Sequence, residues 1–224
     1  MIKLENVTFG FDGAPLFADV SLHLAAGSFQ FLTGASGAGK TTLMRLCYAD
    51  LRAAKGLATL FDRDATALTR EEVAIARRRI GVVHQDCAFI DHLSVAENIA
   101  LPLTVSGRQD ETAQNLPELL AWVGLTAQAQ QKPAALSGGE RQRAALARAV
   151  IMSPDVILAD EPTGNVDPEM SQRLMTLLVE LNRMGKAVLI ATHDLSMIRN
   201  MKAEVNARVL RLKAGQLTHA GADL

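Results

Sequence analysis

The stretch Phe29-Gln-Phe-Leu-Thr-Gly-Ala-Ser-Gly-Ala-Gly-Lys-Thr-Thr-Leu-Met-Arg-Leu-Cys47 decides how the rest of the chain is read. Its centre, Gly34 to Thr41, fits G-x-x-x-x-G-K-[ST] in full. Before it, Phe29–Thr33 is a short, mostly apolar run with the character of a buried strand. After it, Thr41–Cys47 has a helical pattern. A strand that runs through glycines into a helix start is an anion cradle, because bare amides and the helix dipole both face the turn. Gly34, Ala35, Ser36, Gly37, Ala38 and Gly39 then wrap phosphates with their backbone. Lys40 reaches the β- and γ-phosphates, the Thr41 hydroxyl binds Mg²⁺, and Thr42 lies beside them. A chance glycine-rich turn is the alternative, and the flanking strand and helix speak against it.

A second helix start has the same character. In Leu136-Ser-Gly-Gly-Glu140, Ser137 and Glu140 have the spacing of a capping box, in which each side chain satisfies a backbone N–H of the first turn. Gly138 and Gly139 leave the amides there uncovered, which makes another anion site. Two phosphate-binding helix starts in one chain of 224 residues call for a common explanation.

The pattern around them is α/β. Ile2–Val7 and Val20–Leu24 alternate apolar and polar like antiparallel strands, with turn signals at Asp12-Gly13 and Gly27. Gly56–Phe61, Ile80–Val83, Val156–Ala159 and Val188–Thr192 read as strands. Residues 69–79, Glu140–Val150 and Gln172–Met184 read as helices. Apolar strands alternating with helices imply a parallel sheet covered on both faces. From Ser94 to Ala134 the pattern is helical, broken at Pro102, Gly107 and Pro133. The expected organisation is one domain over 1–224. About 1–86 and 156–224 form an antiparallel β subdomain and a parallel-sheet core, and about 87–155 form a helical subdomain containing the Leu136–Glu140 segment.

Composition narrows the partners. A net charge of −1 gives no global attraction to nucleic acid or anionic lipid, and 4% aromatic residues leave few stacking surfaces. Arg77-Arg78-Arg79 is a local basic cluster. It reads either as the solvated end of a helix that opens with the Thr69–Glu72 box, or as a nucleic-acid patch. The two cysteines, Cys47 and Cys87, have no metal-ligand spacing and suggest a reduced, cytosolic setting. His84 and His92 lack partner cysteines for a zinc site. The first residues carry no signal-peptide pattern, and no apolar run approaches the roughly 18 residues of a membrane span.

Ligands of parallel sheets sit at the carboxyl ends of the strands. Thr33/Gly34, Gln85, Asp160/Glu161 and His193 all fall there. Asp160 would hold Mg²⁺ with Thr41, and Glu161 beyond it could orient and deprotonate a water. Asp160-Glu161-Pro162 could also be a polar turn. Gln85 offers an amide to a metal-bound water or the γ-phosphate, or is a plain loop residue. His193 could hydrogen-bond the γ-phosphate and the water, or cap the next helix.

Taken together and in this order, these motifs resemble the ATPase subunits of ATP-binding-cassette (ABC) systems along essentially the whole chain. The resemblance implies a P-loop NTPase fold of that type, with ATP and Mg²⁺ as cofactors. It makes Phe11 the aromatic that stacks on adenine, where Tyr is more usual. Gln85 becomes the Q-loop residue, Leu136–Glu140 the signature, Gly164–Asp167 the D-loop and His193 the switch histidine. The family pairs head to tail, so each ATP lies between one copy's phosphate loop and the other's signature. Ser137, Gly138, Gly139, Glu140 and Asp167 then contact nucleotide on the partner copy, while Glu161, His193 and Gln85 act catalytically and Thr41, Gln85 and Asp160 serve the metal. Phe31–Lys40 and Ile90–Asn98 with Ala100–Leu103 liken the chain most to the family's cell-division members, while Leu158–Asn165 is shared between those and the lipoprotein-release and macrolide-efflux subunits. The cell-division members pair with an integral membrane permease-like protein, FtsX, at the cytoplasmic face of the bacterial inner membrane and do not bind nucleic acid. The alternative within the family is a lipoprotein-release or macrolide-efflux exporter. A docking groove is expected around Gln85–Asn98, where Leu93, Val95 and Ile99 supply either partner contacts or core. A family member acting on DNA or ribosomes would need a second cassette or a long coiled-coil insert, and this sequence has neither.

Overall fold

The computed structural model describes residues 1–11, 14–164 and 166–220. The expected turn at Asp12-Gly13 and the D-loop residue Asn165 lie outside the described residues.

The chain opens with two long antiparallel strands, β1 (Ile2–Phe11) and β2 (Ala14–Leu24), paired from Ile2↔Leu24 to Phe11↔Ala14. β3 (Phe29–Thr33) leaves them for a second sheet and runs into the phosphate loop and α1 (Lys40–Cys47). β4 (Lys55–Leu60) and β5 (Arg63–Asp64) return to the first sheet, whose order is β2-β1-β4-β5. α2 (Arg70–Arg77) starts at the expected Thr69–Glu72 capping box and leads to β6 (Ile80–Val83). Between Val83 and Val156 the regular elements are all helical: α3 (Val95–Val105), α4 (Thr112–Trp122), α5 (Gly138–Val150) and three short 3₁₀ turns. β7 (Val156–Asp160), α6 (Pro168–Arg183), β8 (Ala187–Ala191), α7 (Leu195–Lys202), β9 (Ala207–Lys213) and β10 (Gln216–His219) complete the fold.

The second sheet has the order β10-β9-β3-β8-β7-β6. All its pairs are parallel except the β9–β10 hairpin at one edge. Its central strands are apolar throughout because both faces are covered. Phe29, Phe31, Ile157, Ala159, Val188 and Ile190 face a core shared with α3 to α7. Their neighbours Leu32, Val156, Leu158, Leu189 and Ala191 face a second core, closed by α1 and the antiparallel sheet. The strand ends carrying Thr33, Asp160 and Ala191 therefore emerge side by side.

Several boundaries differ from the sequence reading. Pro102 does not break a helix. It lies inside α3, where the burial of Ile99, Ala100 and Leu103 outweighs the missing N–H. Gly107, at φ 71°, does follow the end of α3. α6 begins four residues before the expected Gln172, since Asp167 caps it and Pro168 occupies its first turn. α7 and the β9–β10 hairpin were not anticipated. Their signals were Asp194 as a cap and the Ala214-Gly215 pair, both at positive φ as a tight hairpin turn requires. Val95 and Ile99, one of two expectations for which was partner contact, are core residues at 1% and 0% exposure.

The edge strand β6 packs on α5 almost backbone to backbone. A Cβ at Gly81 would lie 2.3 Å from the Ala149 carbonyl oxygen. Gly81→Ala should therefore push α5 from the sheet and cost about 1–3 kcal/mol. Thermal unfolding should show the midpoint falling by about 2–4 °C per kcal/mol for a chain of this size.

Candidate active site

A cleft of about 780 Å³ opens at the carboxyl ends of β3, β6, β7 and β8. The phosphate loop forms its floor, through Ala35, Ser36, Gly37 and Gly39 to Thr42. Gly39 sits at φ 98° immediately before α1, and a Cβ there would be 2.9 Å from the Leu16 side chain on β2. The loop's closeness to β2 and its left-handed backbone both require glycine at this point. Gly34 and Ala38 face the other side of the loop, towards Arg211 and Leu212.

Charged groups converge at the floor. Lys40 is 7% exposed. Its ammonium donates to the carbonyls of Gly34 (3.0 Å) and Ala35 (3.3 Å) and lies 3.5 Å from Glu161 Oε1. The same carboxylate oxygen is 3.0 Å from His193 Nδ1. Glu161 itself is at φ 46°, with its N–H bonded to the Ala191 carbonyl of β8. A non-glycine residue in that conformation must be held by its surroundings. Its neighbour Asp160 accepts from the Thr41 hydroxyl at 2.6 Å through Oδ2. Asp160 Oδ1 is buried and has no hydrogen-bond partner. Burial pushes the Asp160 carboxyl above its ordinary range, against the opposing pull of the Thr41 hydrogen bond. The unpartnered Oδ1 and the Thr41 hydroxyl are hard oxygen donors of the kind that a divalent cation takes. No three His, Cys, Asp or Glu converge on a metal site among the described residues, so such a cation would draw its other ligands from phosphate and water.

The remaining residues expected at the site divide into two groups. Phe11, Gln85 and His193 line this cleft. Phe11 is 52% exposed and stands edge-on to Phe9 at 5.0 Å, an open aromatic face. His193 is free of capping duty, because Asp194 caps α7 by accepting from Ser196 and Met197. Ser137, Gly138, Gly139, Glu140 and Asp167 do not line it.

Leu136–Glu140 forms the expected box at the start of α5. Glu140 N–H donates to Ser137 Oγ (3.3 Å), and Ser137 N–H donates to the Glu140 carboxylate (2.8 Å). Those bonds hold the Glu140 carboxyl below its usual range. Ser137 and Gly138 are exposed, so the bare helix start faces outward. Gly139 is fixed by packing, since a Cβ there would meet the Met170 side chain at 2.6 Å. Asp167 caps α6 by accepting from Met170 N–H at 2.9 Å. The sequence reading missed a third capping box, Ser94–Glu97, although it has the same S-x-x-E spacing. It also missed the role of Asn98, which accepts from Ile90 N–H and donates to the Ile90, Leu93 and Ser94 carbonyls.

Known proteins resemble this chain along most of its length. A family model described as ABC transporter matches residues 17–164, more than half of the chain. The chain belongs to the ABC transporter family, as an ATP-binding ATPase subunit. It is similar to the cell division ATP-binding protein FtsE of Haemophilus influenzae, at 42% identity over 202 residues, 89% of this chain and 93% of that one. The FtsE of Escherichia coli K12 is 40% identical over 223 residues, covering 99% of this chain and 98% of that one. Among solved structures, the ATP-binding cassette MJ0796, a dimer in a post-hydrolysis state bound to ADP and Pi, matches with a TM-score of 0.85 at 31% identity. That match covers 98% of each chain.

The raised Asp160 pKa carries a stability consequence. The folded state pays to keep this carboxylate charged, so the cost is present at neutral pH. It disappears as pH falls below the ordinary carboxyl value of 3.8, where both folded and unfolded states are protonated. Asp160→Asn keeps an acceptor for Thr41 and removes the charge. Without nucleotide or metal, its melting midpoint at pH 7 should exceed the parent's, and the difference should shrink on acidification.

Proposed function

We propose that this chain is the ATP-hydrolysing subunit of a membrane-coupled machine of cell division, and that it works as a head-to-tail homodimer. The observation that carries the reading is the split just described. One cleft gathers the phosphate loop, Asp160, Glu161, Gln85 and His193, while a second anion-binding helix start, Ser137–Glu140, faces outward from the same chain. A second copy placed head to tail would bring its signature and Asp167 over the first copy's phosphate loop, and each ATP would be shared.

In this reading Phe11 stacks on the adenine, and the amides of Gly34 to Gly39 cradle the phosphates with Thr42 beside them. Lys40 exchanges its own loop carbonyls for the β- and γ-phosphate oxygens. Thr41 and Asp160 would hold Mg²⁺, and Gln85 would serve as a further polar group toward it. Bound there, the cation would neutralise phosphate charge and polarise the γ-phosphoryl group. Glu161 accepts the proton of the attacking water, and His193, 3.0 Å from Glu161 Oε1, orients that carboxylate and the water. Lys40, 3.5 Å from the same oxygen, sets a positive charge beside that base.

The membrane partner in this proposal is a permease-like protein resembling FtsX. Its docking site is the groove of about 670 Å³ between the end of α2, the Q-loop and α3. Leu101, Pro102 and Val105 form one wall of the groove, Arg77 and Arg78 the other. Val105 (72% exposed) and nearby Ile75 (58%) supply apolar surface that fits an amphipathic cytoplasmic segment with acidic flanks. No described helix is long and apolar enough to cross a membrane, which supports peripheral attachment through that partner at the cytoplasmic face of the inner membrane. Two of the three clustered arginines have structural work, which weakens the nucleic-acid reading. Arg77 donates to the Tyr48 and Ala49 carbonyls, while Arg79 pairs with Asp155 at 2.6 Å and stacks on Phe61. We place the moving boundary near residues 86 and 156, with 87–155 as the helical body.

Three outcomes test this reading. Glu161→Gln should retain ATP binding, lower turnover by about 10²–10⁴-fold and accumulate an ATP-bound dimer in size-exclusion chromatography. Ser137→Arg should abolish hydrolysis while leaving nucleotide affinity of the monomer unchanged. An equal loss of monomer affinity would place the signature at its own chain's site. Affinity purification from the native host should recover an FtsX-like permease, whereas recovery of a lipoprotein-release permease alone would move the chain to the exporter group.

A further inference from the structure

Arg148 lies in the last turn of α5, the helix that begins at Ser137. Its guanidinium spans two consecutive carbonyls of the loop that follows β6, donating through Nη1 to Ala88 (2.8 Å) and through Nη2 to Cys87 (2.9 Å). It also lies over the Phe89 ring, 4.8 Å from the centroid. No carboxylate perturbs its titration, and burial lowers its pKa. A part-buried guanidinium whose fork is taken up by two main-chain oxygens and an aromatic face, with no carboxylate, is an unusual use of arginine and calls for a reason.

The segment it holds supplies one. Gln85 opens a tight turn in which Cys87 N–H bonds the His84 carbonyl (3.2 Å), and Cys87 sits at φ 53°. A cysteine in the left-handed region needs its surroundings to keep it there. Those surroundings come largely from one helix face. Arg141, two turns before Arg148, also approaches the Phe89 ring, at 5.5 Å, and Gln142 donates to the Gln85 carbonyl at 3.5 Å. Beyond Phe89 the chain is taken over by Asn98 of α3. The loop carrying Gln85 is thus held by the helical part of the molecule, although it issues from the sheet.

We infer that Arg148 is the positioning residue that fixes the Gln85 loop to the signature helix, so that the occupancy of one copy's ATP cleft sets the aim of the signature it presents to the other copy. This rests on the assignment of Gln85 and Ser137–Glu140 made above. The fork of a guanidinium matters because two adjacent carbonyls must be held at once, which a lysine ammonium does only in part.

The test is a double-mutant cycle on the full-length chain. ATP turnover against ATP concentration is measured for Gln85→Ala, Arg148→Ala, Arg148→Lys and the combinations with Gln85→Ala. Binding of a fluorescent ATP analogue and melting midpoints are measured alongside. Arg148→Ala should lower kcat by about tenfold or more with analogue affinity held within about twofold, and Arg148→Lys should recover part of the loss. Each double variant should be no slower than its slower parent, because both changes break one linkage. If the two losses multiply instead, or if kcat falls only in step with the melting midpoint, Arg148 is a packing residue and the inference is wrong. If Arg148→Ala does not fold, the Arg148→Lys cycle decides the same question by the same criterion. If Gln85→Ala turns over like the parent, the failure lies one level lower, in the assignment of Gln85 itself.

Discussion

The Thr41 hydroxyl donates to Asp160 at 2.6 Å, joining segments 119 residues apart. On one side stands a helix start lined with bare amides, and on the other a carboxylate at the end of a strand buried along its whole length. Neither end could hold its position alone. The Asp160 charge is costly at the mouth of an apolar sheet, and the loop's glycines have little intrinsic order. The bond gives each a partner and sets the spacing between loop and acidic strand end. The neighbouring contacts follow the same rule. Glu161 lies between Lys40 and His193, and Lys40 is satisfied by its own loop's carbonyls.

The parts most legible in the sequence were those governed by short-range physics. The runs Phe29–Thr33 and Ile80–Val83 appear as strands at those same residues, because an apolar segment of such length between turn signals has few other stable uses. Capping boxes at Thr69 and Ser137 were equally plain, being local hydrogen-bond patterns. Some of what escaped notice was equally local, such as the Ser94–Glu97 box, and the rest depended on distant context. Pro102 survives inside α3 because its neighbours are buried, which no local rule registers. β9 carries arginines at 208 and 211 and still pairs in parallel with β3 near the middle of the sheet. Asn98, to which the sequence reading gave no structural role, is fully buried and organises the loop before it.

For the candidate site, motif reading proposed the residues, and the structure places them in two groups. Gln85, Asp160, Glu161 and His193 come together with the phosphate loop in one cleft, as strand-end placement led one to expect, and Phe11, expected there from the family resemblance alone, lines it too. Leu136–Glu140 and Asp167 share no part of that cleft. They are brought near each other instead, with Gly139 against Met170 and Asp167 capping the helix that carries Met170. Motif order along a chain does not show that separation, which depends on where α5 and α6 pack relative to the cleft.

The close seat of Gly81 against the Ala149 carbonyl has a mechanical meaning as well as a steric one. It lies at one extremity of α5, with Ser137 at the other, twelve residues away or about 18 Å along the axis. A contact without side chains has nothing compliant in it, so it behaves as a fulcrum and the helix as a lever. Tilting the lever by about 10° sweeps its far tip through about 3 Å, the length of one hydrogen bond. A small adjustment beside the sheet edge is therefore enough to displace the exposed Ser137 end of the helix by that distance.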